Sequence, residues 1–277
     1  MASTEEQTIL VTGATDGLGR AVAEKLARNG ATVLVHGRDR EKAERVVAGI
    51  QEVTGSHRLR VHVADLASLD QVRTLVAEVV EQSDRLDALV NNAGVGGVDR
   101  AESADGHELH FAVNHLAHFL LTNELLALLR RSAPARVVNV ASAAQSPIDF
   151  DDAMLERGYQ PMRAYAQSKL AQILFTLELA ERLGGDGEPR VTVNALHPAT
   201  LMDTNMVREN FGRASSSVEE GAEATVRLVT SPDLAGVTGR YFDGLEESAA
   251  HEQAYDEQAR RRLWELSERL VGGTAPA

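Results

Sequence analysis

Tyr165 and Lys169 stand four residues apart in Tyr165-Ala166-Gln167-Ser168-Lys169, a spacing that puts both side chains on one face of a helix. A free tyrosine titrates near ~10, too high for efficient proton exchange at neutral pH. A neighbouring ammonium stabilises the phenolate and is expected to draw that value down. Such a tyrosine can give a proton to a carbonyl oxygen as hydride reaches the carbon, or take one back in the oxidative direction. A second chemical signal is Gly13-Ala14-Thr15-Asp16-Gly17-Leu18-Gly19, between an apolar run and a helical stretch. Glycines at such a place let the backbone turn tightly and approach a pyrophosphate, whose charge is favourable at a helix N-terminus. The next apolar run ends in Val35-His36-Gly37-Arg38-Asp39. The Arg38 guanidinium stands where the 2′-phosphate of a bound dinucleotide would lie, which favours NADP over NAD. Asp39, adjacent to it, is the residue type that would favour NAD.

Positioning these groups is the work of alternating elements. Strands are expected at 8–12, 32–35, 60–63, 86–90, 136–140, 191–196 and 240–242. Helices are expected at 18–29, 40–53, 69–81, 108–130, 163–183 and from about 218. Nearly continuous apolar strands, each followed by a helix, signal a parallel sheet covered on both faces. No linker rich in Pro, Gly or Ser divides the pattern, so residues 1–277 read as one dinucleotide-binding and catalytic domain. The stretch 199–217 follows a strand end and is expected to be a substrate loop, and 272–277 a frayed tail.

Composition narrows the chemistry further. With 43% hydrophobic and 25% charged residues, a packed core is affordable from Leu, Val and Ala, since aromatics are only 4%. Cysteine is absent, which excludes disulfide scaffolds, thiolate metal sites and a thiol nucleophile. A net charge of −13 argues against a nucleic-acid partner. Residues 1–7 carry two acids where a signal peptide needs bases, and no window is apolar enough to span a membrane, so a cytoplasmic protein without a membrane partner is expected. His107, His110, His115 and His118 share helix faces only in pairs and no His-Glu-x-x-His occurs, so no metal site is expected. Ser142 lies in Val-Ala-Ser-Ala-Ala, which is not the nucleophile elbow of a serine hydrolase.

Thr12-Gly-x-x-x-Gly-x-Gly, followed by Ala64-Asp65-Leu66, Asn91-Asn92-Ala93-Gly94, Asn114, Ser142 and Tyr165-x-x-x-Lys169, resembles the short-chain dehydrogenase/reductase family over residues 8–244. The resemblance implies a Rossmann-type doubly wound sheet and hydride transfer between a nicotinamide and a carbonyl or alcohol. It implies that Tyr165 is the acid–base, that Lys169 tunes it and holds the nicotinamide ribose, that Ser142 orients the substrate oxygen and that Asn114 supports a proton relay. It implies cofactor contacts at Gly13, Thr15, Asp16, Gly17, Leu18, Gly19, Arg38, Asp65, Leu66, Asn92, Ala93, Gly94, Tyr165, Lys169, Pro198 and Leu201. Asp16 stands where many NADP-using relatives carry a base, and Ala199 replaces the glycine usual after Pro198. The interval from Ser142 to Tyr165, Asn114-His115-Leu116-Ala117-His118-Phe119 and Arg261-Arg262-Leu263-Trp264-Glu265-Leu266 resemble the retinol-dehydrogenase-like branch. The family also implies a homodimer or homotetramer formed through the two long central helices. Two other readings remain at this stage: a dinucleotide-binding sensor without catalysis, and family chemistry such as epimerisation or dehydration.

Overall fold

A computed structural model describes residues 4–184, 190–203, 208 and 214–272. The apolar runs form the strands β1 (Thr8–Val11), β2 (Thr32–Gly37), β3 (Leu59–Val63), β4 (Ala88–Asn91), β5 (Ala135–Val140), β6 (Val191–His197) and β7 (Arg240–Asp243), with a short β8 (Glu246–Ser248). They make one eight-stranded sheet in the order β3-β2-β1-β4-β5-β6-β7-β8, parallel throughout except for the β7–β8 pair. Sequential strands run outward from β1 in one direction and from β4 in the other, which is the doubly wound Rossmann arrangement.

Seven helices flank it among the described residues: α1 (Gly17–Arg28), α2 (Arg40–Thr54), α3 (Leu69–Gln82), α4 (Ala117–Arg131), α5 (Pro161–Leu183), α6 (Val218–Thr230) and α7 (Glu257–Leu270). Alternation along each strand sends side chains to opposite faces. Ile9, Val11, Val33, Val35, Val90, Val138 and Leu196 join α1, α2 and α6 in one core. Leu10, Leu34, Leu89, Val137 and Val193 join α3, α4, α5 and α7 in the other. Side-chain caps define several helix starts: Asp16 on α1, Asp39 on α2, and Ser217 with Glu220 in a reciprocal box on α6.

Three features differ from the sequence expectation. β2 continues to Gly37 because His36 and Gly37 pair with His62 and Val63 of β3. The helix expected over 108–130 is not uniform: Phe111–Leu116 is a π-helical turn, and regular α-helix begins only at Ala117. Widened turns of this kind often mark functional sites, and an unbroken helical periodicity does not announce them. Third, α7 folds over the outer side of α4 and α5. The Trp264 ring lies 4.9 Å from Phe119 and its face receives the Arg182 guanidinium at 4.0 Å, while His115 Nε2 meets Ser267 Oγ at 2.7 Å. Of the expected substrate loop, 204–207 and 209–213 lie outside the described residues, as do 273–277 of the tail. Where the loop is described, Ser215 N–H donates to the Leu201 carbonyl and Met202 bridges to Ser216. No helix among the described residues is long and apolar enough to cross a membrane.

Candidate active site

Parallel pairing brings the carboxyl ends of β1, β4, β5 and β6 side by side, and the residues singled out by their chemistry emerge there. At the end of β1 the chain reverses with Gly13 at φ +64° and Gly17 at φ +45°, a backbone region that glycine enters without penalty. A β-carbon on Gly13 would also strike Ala93. The turn is pinned from both sides. Asn92 Nδ2 donates to the Thr12 carbonyl at 2.8 Å, and Thr12 Oγ1 accepts the N–H groups of Asn92 and Ala93 at 2.9 and 3.0 Å. On the other side the Gly13 N–H donates to His36 Nδ1 at 3.1 Å, so the proton of that ring sits on Nε2 and goes to the Ala64 carbonyl at 3.0 Å. Burial pushes His36 down to about 4, so it stays neutral and keeps this arrangement at physiological pH. The open cradle at the α1 N-terminus, with Gly19 packed too tightly for any side chain, fits the pyrophosphate of a dinucleotide.

The residues assigned to the adenosine side make local contacts of their own. Arg38 is exposed at the β2–α2 junction. Asp39 is occupied locally, its carboxylate accepting the Lys42 N–H at 2.9 Å as the α2 cap. Asp16 accepts the Gly17 N–H at 2.8 Å and pairs with the Lys42 ammonium at 2.8 Å. Both acids thus cap helices, and Asp16 is also paired with Lys42. Thr15 packs on Gly37, Leu18 and Leu66 are buried in the two cores, and Asp65 Oδ1 accepts the Ala67 N–H at 2.9 Å. Pro198 follows β6, and Leu201 adopts φ +46°, a strained value for a leucine.

The catalytic candidates converge. Lys169 is 4% exposed, and its Nζ donates to the Val140 carbonyl at 2.8 Å and Gln172 Oε1 at 2.9 Å. Nζ lies 5.8 Å from the centre of the Tyr165 ring. Burial pushes the lysine down to about 7. Burial also raises Tyr165, while a hydrogen bond with the Ser142 side chain pulls the other way. The downward shift expected from the ammonium is absent, desolvation prevails, and the phenol is protonated at neutral pH. Ser142 Oγ accepts the Ala144 N–H at 3.0 Å, and the Ser142 carbonyl accepts from Tyr241 at 3.2 Å, which fixes the loop after β5. Asn114, on the π-helical turn, exchanges bonds with the Val95 backbone at 2.8 and 2.9 Å and donates to Ser168 Oγ at 2.8 Å.

A family model described as short chain dehydrogenase matches residues 7–214. The chain belongs to the short-chain dehydrogenase/reductase family. Within it the enzyme falls in the retinol-dehydrogenase-like branch: human retinol dehydrogenase 13 is 42% identical over 288 aligned residues, covering 98% of this chain and 86% of that protein. A crystal structure of an uncharacterized protein from Mycobacterium paratuberculosis has a TM-score of 0.81 at 31% identity, covering 98% of this chain and 96% of its own. A Shigella flexneri structure described as a short chain dehydrogenase complexed with NADP has a TM-score of 0.71 at 29% identity, with 86% of this chain and 97% of that one covered. The protein is an NAD(P)-dependent oxidoreductase that acts on small molecules.

In this short-chain dehydrogenase/reductase, sequence reasoning passed over His36, His118 and Gln172 as site residues. The signal existed: His118 is four residues after Asn114 and Gln172 three after Lys169, so each shares a helix face with a candidate. Gly94 shows how tightly the site is drawn. A β-carbon there would lie 3.1 Å from Asn114 Oδ1 and 3.6 Å from Lys169 Nζ. Gly94→Ala is expected to displace one of these groups and lower kcat by about tenfold, with a smaller change in thermal stability. Steady-state kinetics beside a melting curve check this, and an unchanged kcat counts against it.

Proposed function

We propose that the enzyme is an NADP-preferring carbonyl reductase or alcohol dehydrogenase working through Asn114, Ser142, Tyr165 and Lys169. The observation that carries this reading is the convergence of a protonated Tyr165, its Ser142 partner and the buried Lys169 head at the carboxyl edge of the sheet. When bound, the nicotinamide supplies or accepts the hydride at the carbonyl carbon. The chain's own residues do the rest. Gly13, Gly17 and Gly19 admit the pyrophosphate at the α1 N-terminus, and Arg38 faces the 2′-phosphate. Ser142 and Tyr165 hydrogen-bond the carbonyl oxygen, polarising it and fixing its orientation. As negative charge grows on that oxygen, Tyr165 delivers its proton there. Lys169 stabilises the resulting phenolate and binds the nicotinamide ribose, and Asn114 anchors the route by which the proton is replaced.

A panel of medium-chain aldehydes, cyclic ketones and retinal, followed by loss of NADPH absorbance, tests the reading. Turnover of at least one carbonyl supports it, and failure across the panel in both directions opposes it. The same assay with NADH tests cofactor choice. Arg38→Ala is expected to raise the KM for NADPH about tenfold, the scale of one exposed charge-assisted contact, and to leave that for NADH nearly unchanged. A clear preference of the unaltered enzyme for NADH would sink the role given to Arg38.

The reading includes a cytoplasmic location, with a net charge of −13 favouring solubility. It also includes a homodimer or homotetramer. Because α7 covers the outer side of α4 and α5, such an assembly would form through other surfaces.

A further inference from the structure

Behind Lys169 lies a chain of buried polar groups that the proposed reaction does not use. Lys169 Nζ donates to Gln172 Oε1 at 2.9 Å, Gln172 Nε2 lies 3.1 Å from His118 Nδ1, and His118 Nε2 lies 3.4 Å from Thr12 Oγ1. Gln172 and His118 are each 1% exposed and Thr12 is 0% exposed, so solvent does not substitute for any of these partners. Thr12 Oγ1 is the same atom that receives the Asn92 and Ala93 N–H groups beneath the glycine turn. The groups therefore run from the ammonium on α5 to the cofactor turn after β1, crossing the helix that carries Asn114.

Thr12 Oγ1 already accepts two N–H groups, which fills both of its lone pairs, so toward His118 Nε2 it can offer only its own hydrogen, and Nε2 is the lone pair. Burial holds His118 neutral, so its one proton sits on Nδ1 and goes to the Asn114 carbonyl at 3.0 Å. Gln172 is therefore tied at its Lys169 end, where Oε1 accepts from Nζ beside the Val140 carbonyl, and not through His118.

We propose that Gln172 is a positioning residue for Lys169, its buried amide oxygen holding the lysine head against the Val140 carbonyl. The proposal rests on the role given to Lys169 above. Gln172 denies the lysine head other rotamers and does not touch the reacting atoms. The expected signature is a loss of kcat without a comparable loss of cofactor or substrate binding.

The test is kinetic. Gln172→Leu removes the bond to Nζ and is expected to lower kcat about tenfold or more, with the NADPH Kd and the substrate KM moving by less than about threefold. Gln172→Glu keeps an oxygen for Lys169 and is expected to recover turnover to within about threefold of the unaltered enzyme. Kinetics use the aldehyde or ketone turned over fastest in the panel above. An unchanged kcat in Gln172→Leu, a loss of NADPH or substrate binding as large as the loss of kcat, or a Gln172→Glu enzyme no faster than Gln172→Leu would each overturn the proposal. If Gln172→Leu does not fold, Gln172→Met takes its place with the same expected outcome. Because the unaltered enzyme and Tyr165→Phe are assayed alongside, failure here is distinguishable from failure of the reaction assigned to Tyr165 and Lys169.

Discussion

Tyr165→Phe is expected to lower kcat by roughly 10²–10⁴-fold, the range that a single positioned acid–base contributes, while NADPH affinity measured by fluorescence titration stays within about threefold. The substitution removes one oxygen and keeps the ring. The packing that the ring makes, edge-on to His110 at 6.5 Å and beneath the Lys169 ammonium, is retained, so the expected loss is chemical rather than structural. Geometry and protonation both support a large effect. The phenol lies beside Ser142, and burial keeps it in its acid form, which is the form that reduction of a carbonyl consumes. Lys169, pushed down to about 7, sits at the midpoint of its own titration near neutrality and is only partly charged when the site is at rest. The growing phenolate then supplies the negative charge that favours the ammonium, so the pair is better matched late in the reaction than at its start. Near wild-type turnover by Tyr165→Phe would remove Tyr165 from the mechanism. A parallel loss of NADPH binding would show that the hydroxyl serves the cofactor rather than the proton.

Much of this site was legible because its parts announce themselves locally. Gly13 and Gly17 report a turn that glycine enters without penalty, Gly19 a close approach to that turn, and Tyr165 and Lys169 a shared helix face through their spacing. Strand and helix order follows from periodicity, which is why the doubly wound sheet is readable from one sequence. What escaped was set by contacts distant in the chain. β2 is lengthened by pairing with β3, and α7 is amphipathic like any surface helix until Trp264 meets Phe119 and Phe175. The π-helical turn around Asn114 has ordinary helical residues, and its purpose emerges only when Asn114 reaches the Val95 backbone on another segment. The acids that counted toward NAD illustrate the same limit. Asp39 has the residue type of a ribose acceptor and Asp16 stands where many NADP-using relatives carry a base, yet each also caps a helix and Asp16 pairs with Lys42. The direction of the Tyr165 shift depended on burial, a quantity that spacing does not contain.

Mild acid is expected to unfold the protein in a window where most carboxylates are still ionised. Burial holds His36 down to about 4 and His115 and His118 each down to about 3, while in the unfolded chain they return to about 6.5. Between those values the unfolded state binds more protons than the folded one, so the stability these rings contribute is fully present above about pH 6.5 and falls as pH drops below it. Each ring contributes about 1.4 kcal/mol per pH unit, and the three together about 4 kcal/mol per pH unit. By pH 5 the loss is about 6 kcal/mol, comparable with the whole stability of an ordinary domain. His62 and His197 are lowered as well and steepen the fall, whereas the depressed carboxylates Glu108 and Asp152 add their losses only at still lower pH. Urea unfolding at pH 8, 6.5, 5.5 and 5 measures the slope. His115 supplies the control, since its ring is packed among Phe111, Phe119 and Phe175 and its Nδ1 has no hydrogen-bond partner. His115→Phe leaves the proposed catalytic groups untouched and removes one of the three titrations, so the acid slope is expected to lose about a third. If instead stability is flat from pH 8 to 5, these rings are not buried as neutral groups. The hydrogen bond from Gly13 to His36 would then also lose its basis, because a protonated His36 has no lone pair to accept it.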